Sequence, residues 1–139
     1  MFSLAEPIRA RLQSLPALAG WTIRLAIETG SRRASPAAEL SCESAAPVDA
    51  RKPGALLEVV WAVSLIVPQD ATAAATLNTA FGEVFGALHG WLPGEQGGRR
   101  WERLRIISAA PPPEFEAREP GLVEYRLTFS TSARFDGQQ

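Results

Sequence analysis

From Leu56 to Val67 the chain carries an apolar pattern on both sides of an extended backbone. Side chains alternate with period two in a strand. Leu57, Val59, Trp61, Val63, Leu65 and Val67 therefore share one face, and Leu56, Val60, Ala62 and Ile66 share the other. Only Glu58 and Ser64 interrupt the pattern. A strand of this kind needs cover on both faces. Its residues at about 3.3 Å each span about 40 Å, well beyond the usual strand. The spacing predicts a central strand that bends or overhangs its sheet, ended by Pro68.

Shorter signals surround it. Ser3-Leu4-Ala5-Glu6 has the form of a capping box, with the Ser3 hydroxyl and the Glu6 carboxylate each accepting from the other's backbone amide. Leu4, Ile8, Leu12 and Leu15 follow at helical spacing, and Pro16 stops the helix. Trp21 to Glu28 alternates cleanly and predicts a half-buried strand. Gly30 to Gly54 shifts to small residues, Pro and Arg and reads as a long loop, with Glu39 to Glu43 the only hint of an edge strand.

Beyond Pro68, Asp70 is a candidate N-cap for a helix whose apolar face is Leu77, Phe81, Val84, Phe85 and Leu88. Gly82 and Gly86 lie on one side of that helix, as tolerated flexibility or as a close packing surface. Gly90 and Pro93 close it. Pro93 to Arg100 reads as a Gly-rich turn, Trp101 to Ser108 as a strand, and Ala109 to Gly121 as a Pro- and Glu-rich loop. Leu122 to Ser130 alternates as a final strand, and Thr131 to Gln139 reads as a frayed polar tail. The expected fold is a single α+β domain over residues 1–139. Its mostly antiparallel sheet, of about four strands, packs on two helices.

Composition narrows the classes of function. The 139 residues are 46% hydrophobic, enough for a core without metals or disulfides. Cys42 is the only cysteine, so no internal bridge exists and a reducing compartment is compatible. The formal charge of -1, with no block of one sign, argues against nucleic acid as partner. No signal segment is visible at Met1-Phe2-Ser3, and the apolar run is too short for a membrane helix. The expectation is a cytoplasmic protein with no membrane span.

Candidate chemistry is sparse. His89 is the lone histidine, placed at a helix C-terminus, where its cation would suit the helix dipole. Cys42 has no CxxC partner and no base nearby in sequence, and reads as a passive thiol. Gly94 to Arg100 lacks the Gly-Lys-Ser/Thr ending of a phosphate loop and follows a helix rather than a strand. Glu114, Glu116 and Glu119 sit in a Pro-rich segment and read as solvated. Arg99, Arg100, Arg103 and Arg105 form the one basic cluster, either a solvated face or a protein interface. No cofactor, metal or small-molecule substrate is expected.

Solvation supplies the strongest functional hint. Two amphipathic helices suffice for one face of the sheet, and the second apolar face of the central strand has no helix left to cover it. Leaving Leu56, Val60 and Ile66 wet forfeits about 1.5–3 kcal/mol each, by full-burial values, and such a patch marks an interaction site. A neighbouring subunit is the expected cover.

The order of elements resembles a known family. It runs from an amphipathic helix ending in Leu15-Pro16, through Gly20-Trp21 and a strand, to a long loop and a long central strand. A Leu77/Phe81/Phe85/Leu88 helix, a Gly turn and a last strand Tyr125-Arg126-Leu127-Thr128-Phe129 complete it. This is similar to the tail terminator (tail completion) proteins of long-tailed bacteriophages and prophages. The resemblance implies a non-enzymatic structural protein that assembles as a hexameric ring, caps the tail tube and joins it to the head. It implies assembly in the host cytoplasm, a place in the virion tail, and tail-tube and neck proteins as partners. Ring contacts would then use Leu56, Val60 and Ile66 with the Gly30–Gly54 loop, and Arg99, Arg100 and Arg103 would face the partners. Two alternatives are a dimeric ligand-binding or regulatory module and an enzyme using scattered carboxylates such as Glu28 with Glu58.

Overall fold

The computed structural model describes residues 2–27, 36–49, 54–112 and 121–136. A 3-10 turn, Phe2–Leu4, leads into α1 (Ala5–Gln13). Leu4, Ile8 and Leu12 are buried as the spacing predicts, Ala5 is buried beside them, and Leu15 packs at the rim of the same core. The capping box does not form. Leu4 takes the N-cap position without a side-chain bond, and the Ser3 hydroxyl is buried with no partner among the described residues. The 3-10 turn draws Ser3 out of the extended backbone an N-cap needs, and it lays Phe2 edge-on against Trp61, with ring centroids 6.1 Å apart.

The second helix, α2 (Ala73–Leu88), buries Ala73, Ala80, Val84 and Leu88, with Leu77, Phe81 and Phe85 half-buried beside them. Thr72, not Asp70, holds its N-cap position. Asp70 acts one turn earlier: its Oδ1 accepts from the Thr72 amide and hydroxyl, both at 2.8 Å. These bonds hold the Asp70 carboxyl below its ordinary value of 3.8, the Thr72 hydroxyl contributing most. The help given to the helix start is complete above that pH and fades as pH falls through the lower folded-state value. Gly82 and Gly86 pack against nothing; a methyl group at either would meet no atom within 4 Å.

The sheet corrects the expected fold class. In place of about four strands there is a mixed sheet of five in the order β1-β2-β3-β7-β6, with a separate two-stranded ribbon, β4–β5. The strands are β1 (Thr22–Leu25), β2 (Ala37–Asp49), β3 (Gly54–Pro68), β4 (Gly94–Gln96), β5 (Arg99–Trp101), β6 (Arg105–Ala110) and β7 (Leu122–Asp136). β1 runs parallel to β2, and every other pairing is antiparallel.

Four segments differ from their sequence reading. Residues 101–108, read as one strand, are broken: Trp101 ends β5, β6 begins at Arg105, and the Glu102 and Leu104 amides between them bond to the Ser132 and Trp91 carbonyls. Residues 37–49, read as loop with a possible edge strand only at Glu39 to Glu43, form β2 throughout, and a bulge between Cys42 and Ser44 breaks its alternation. The Gly-rich turn after Pro93 is a hairpin closed by Gly97 and Gly98, both at positive φ. Residues 131–136, read as a frayed tail, continue β7 along β3 from Thr131↔Val59 to Asp136↔Gly54.

Both helices lie on one face of the sheet. The core there is built from Leu40, Val59, Trp61, Val63, Leu65, Leu127 and Phe129 of the strands with Ile8, Leu12, Val84 and Leu88 of the helices. Fifteen residues of β3 reach about 50 Å and sixteen of α2 about 24 Å. The sheet therefore outruns its helices. Beyond Val59 the core side is closed instead by Trp101, which meets Phe135 edge-on at 6.0 Å, and by Leu104 and Ala133.

Because Gly82 and Gly86 face open space, Gly82→Ala with Gly86→Ala is expected to raise unfolding free energy by about 1–2 kcal/mol in urea titration. Gly97→Ala is expected to do the reverse. Its backbone sits at φ +61 and a new Cβ would lie 2.7 Å from Ser3 Cβ. A melting temperature equal to or above that of the parent chain would contradict this packing.

Candidate functional site

The sheet face away from the helices is not apolar along its length. A transverse row crosses four strands: Arg24 pairs with Glu39, Glu39 with Ser64, and Ser64 with Arg126. Arg24 Nε donates to Glu39 Oε2 at 3.0 Å. Arg126 Nε donates to Ser64 Oγ at 3.2 Å, and its Nη2 reaches Glu124 Oε2 at 3.1 Å. Glu43, the bulge residue, turns its carboxylate onto the Ser41 hydroxyl at 3.0 Å and lies 3.9 Å from Arg126 Nη1. Long Arg and Glu stems can cover apolar surface while their heads pair. Under this lattice Ala62, Ser64 and Ile66 are closed off, Ile66 to 1% exposure.

This alters the expected interface. Ile66 offers no surface within this chain, so the polar partners that β1, β2 and β7 bring to the face do part of what a neighbouring subunit was expected to do. Leu56 and Val60, at the other end of β3, are half-buried. There β2 is exposed on both faces from Glu43 to Val48, the last at 63%. The open part of the sheet is thus the overhanging end, β2, β3 and β7 beyond the reach of the helices.

The arginines divide. Arg99 and Arg100 lie on β5 and are joined by Arg134 of β7 around a concavity of about 390 Å³ with Gly97 and Gly98. Arg99 lies over the Phe135 ring at 3.9 Å and donates to the Gly97 carbonyl at 3.3 Å. Arg103 belongs elsewhere. Its Nη1 donates to the Gly90 carbonyl at 3.0 Å, and it borders a polar concavity of about 330 Å³ with Glu58, Glu102, Arg105 and Ser130. In that concavity Arg105 lies 3.6 Å from Glu58 and donates to Ser130 Oγ at 3.1 Å. The sequence reading missed Arg134 because it treated the last residues as a tail. The alternation Thr131, Ala133, Phe135 against Ser132 and Arg134 was the available signal.

The other chemical candidates are structural where described. His89 caps α2, stacks on Phe85 at 5.0 Å, and its Nδ1 accepts from the Ile106 amide at 3.0 Å. That bond ties the end of α2 to β6. Burial, followed by the Glu43 carboxylate, pushes the Cys42 thiol up from its ordinary value. Glu58 is engaged with Arg105, while Glu28, Glu114, Glu116 and Glu119 lie outside the described residues. Among the described residues no three His, Cys, Asp or Glu side chains group as metal ligands, and no helix is long and apolar enough to cross a membrane.

No family model and no curated protein matches the chain. Its fold, a five-stranded mixed sheet with both helices on one face, is shared with a solved structure described as "Virion of native gene transfer agent (GTA) particle". The two chains superpose with a TM-score of 0.62 at 21% identity, over 92% of each chain. At that identity the likeness is one of fold.

Arg126→Ala takes away the cation beside Glu124, whose side chain is 2% exposed. It is expected to cost about 2 kcal/mol in chemical denaturation, below the 3–5 of a fully buried pair because Arg126 keeps 24% exposure. Cys42, with its raised value, is expected to react with iodoacetamide at pH 7.5 more slowly in the folded protein than in urea. Equal rates would contradict its placement.

Proposed function

We propose that this chain is a structural component of a phage-like particle that works by assembling with copies of itself and with other particle proteins. One observation carries the reading: the fold is shared over 92% of both chains with a component of a gene transfer agent virion. The overhanging end of the sheet supports it independently. Half-buried Leu56 and Val60, next to a stretch of β2 exposed on both faces, form a surface that a second protein chain would cover.

The finer form of the proposal is a ring of six copies that caps a tail tube and joins it to the head. In a ring each copy presents two different complementary surfaces, one to each neighbour. The overhanging end would supply one surface and the body of the next copy the other. Arg99 and Arg100, beside the overhang, would face the tail-tube or neck protein. The protein would then act without catalysis, and its place would be the virion.

Light scattering coupled to size exclusion at micromolar concentration is expected to give about six times the 15.0 kDa of one chain. Leu56→Asp with Val60→Asp is expected to shift that mass toward the monomer while leaving the circular dichroism of the fold in place. A monomeric parent chain, or a double variant that assembles unchanged, would remove the overhang as the assembly surface. A stable dimer would favour a small regulatory module over a ring.

A further inference from the structure

We propose that the Arg99–Arg100–Arg134 concavity is a carboxylate-recognition site, built to take an acidic protein segment of a partner. The site stands on its own geometry. Only the assignment of that partner to another component of a particle rests on the reading above.

The concavity is preorganised. The tight Gly97–Gly98 turn, at φ +61 and +76, brings β5 against the end of β7 and sets Arg99 and Arg100 opposite Arg134. Arg99 is held over the Phe135 ring, which Trp101 supports in turn. It spends one donor on Gly97 and keeps the rest of its guanidinium fork for a ligand. A planar fork fixed before binding loses little freedom on taking a carboxylate.

The concavity is also cationic. Among the acids whose side chains are described, none lies within ion-pair distance of Arg99, Arg100 or Arg134, although Glu95 stands opposite Arg100 in the ribbon. Arg24, Arg105 and Arg126, in contrast, each have a carboxylate beside them. Three cations gathered around one concavity repel each other until an anion joins them. In a chain of net charge -1 this arrangement is a local feature, not the overflow of a basic protein.

The size of the site selects the anion. Among the described residues three cations line it, Arg99, Arg100 and Arg134, and Glu95 stands opposite Arg100 in the ribbon. Duplex DNA needs a run of cations along its phosphates. A short acidic loop needs only two or three.

The test uses the whole protein and a hexaglutamate peptide as probe, followed by NMR of the arginine Nε–Hε signals at pH 7. Arg99 and Arg134 are expected to shift in a saturable way, with affinity falling in 0.3 M salt. Arg100→Ala with Arg134→Ala is expected to weaken binding about tenfold, each exposed guanidinium counting for about threefold, at an unchanged melting temperature. Arg11→Ala, remote on α1, is expected to bind as the parent chain does. The proposal is overturned if the parent chain does not bind, or if the double variant binds equally well. It is also overturned if duplex DNA binds more tightly than the peptide at these residues. A parent chain that is monomeric yet binds the peptide here would sink the ring and leave the site standing.

Discussion

The β3–β7 ladder is the interaction on which the rest of the fold depends. It pairs Gly54 with Asp136 at one end and Pro68 with Leu122 at the other, without a register shift between them. A ladder of that length fixes which side chains face which way over about 50 Å. Helices add residues at less than half the rise, so two short helices cannot follow it. The molecule consequently has a covered end and an overhanging end. The β4–β5 ribbon is fitted into the gap: the Glu102 amide bonds to the Ser132 carbonyl at 3.0 Å, and the Thr131 hydroxyl to the Glu102 carbonyl at 2.6 Å.

Cover on the two faces is achieved by different physics. The helix face is an ordinary core, where Trp61, Phe129, Leu88 and Leu12 exclude water by packing. The other face is made of small residues beneath paired charges. Ala62 and Ser64 leave room for the stems of Arg126 and Glu39, and the heads are satisfied by one another and by hydroxyls. Buried ion pairs add little net stability compared with apolar packing, and their geometric demands are strict. They set strand register on a face that apolar contacts alone would leave indifferent to sliding.

These two solutions locate the surfaces open to partners. Where the charge lattice is dense, the sheet is finished and presents paired groups. Beyond Val60 the lattice thins to the Arg105–Glu58 pair, and the three long strands outrun the helices with Leu56 and Val60 half-buried. The concavity of Arg99, Arg100 and Arg134 lies beside that same end. A single length mismatch between strands and helices therefore places an apolar surface and a cationic one side by side.

The sequence by itself determined the elements with strong periodicity. The central strand, both helices and the strand from Leu122 are where the alternation and the 3.6-residue spacing put them, because those patterns report burial directly. It did not determine β2 or the last turn of β7. Ser44-Ala45-Ala46-Pro47 and Ser130-Thr131-Ser132 are small and polar, so their strand character comes from the ladder partner and not from their own preference. Nor could it place Arg134 beside Arg99, or close Ile66 beneath its own chain. Those outcomes rest on contacts between residues far apart in sequence, and only the tertiary register of β2, β3, β5 and β7 brings them together.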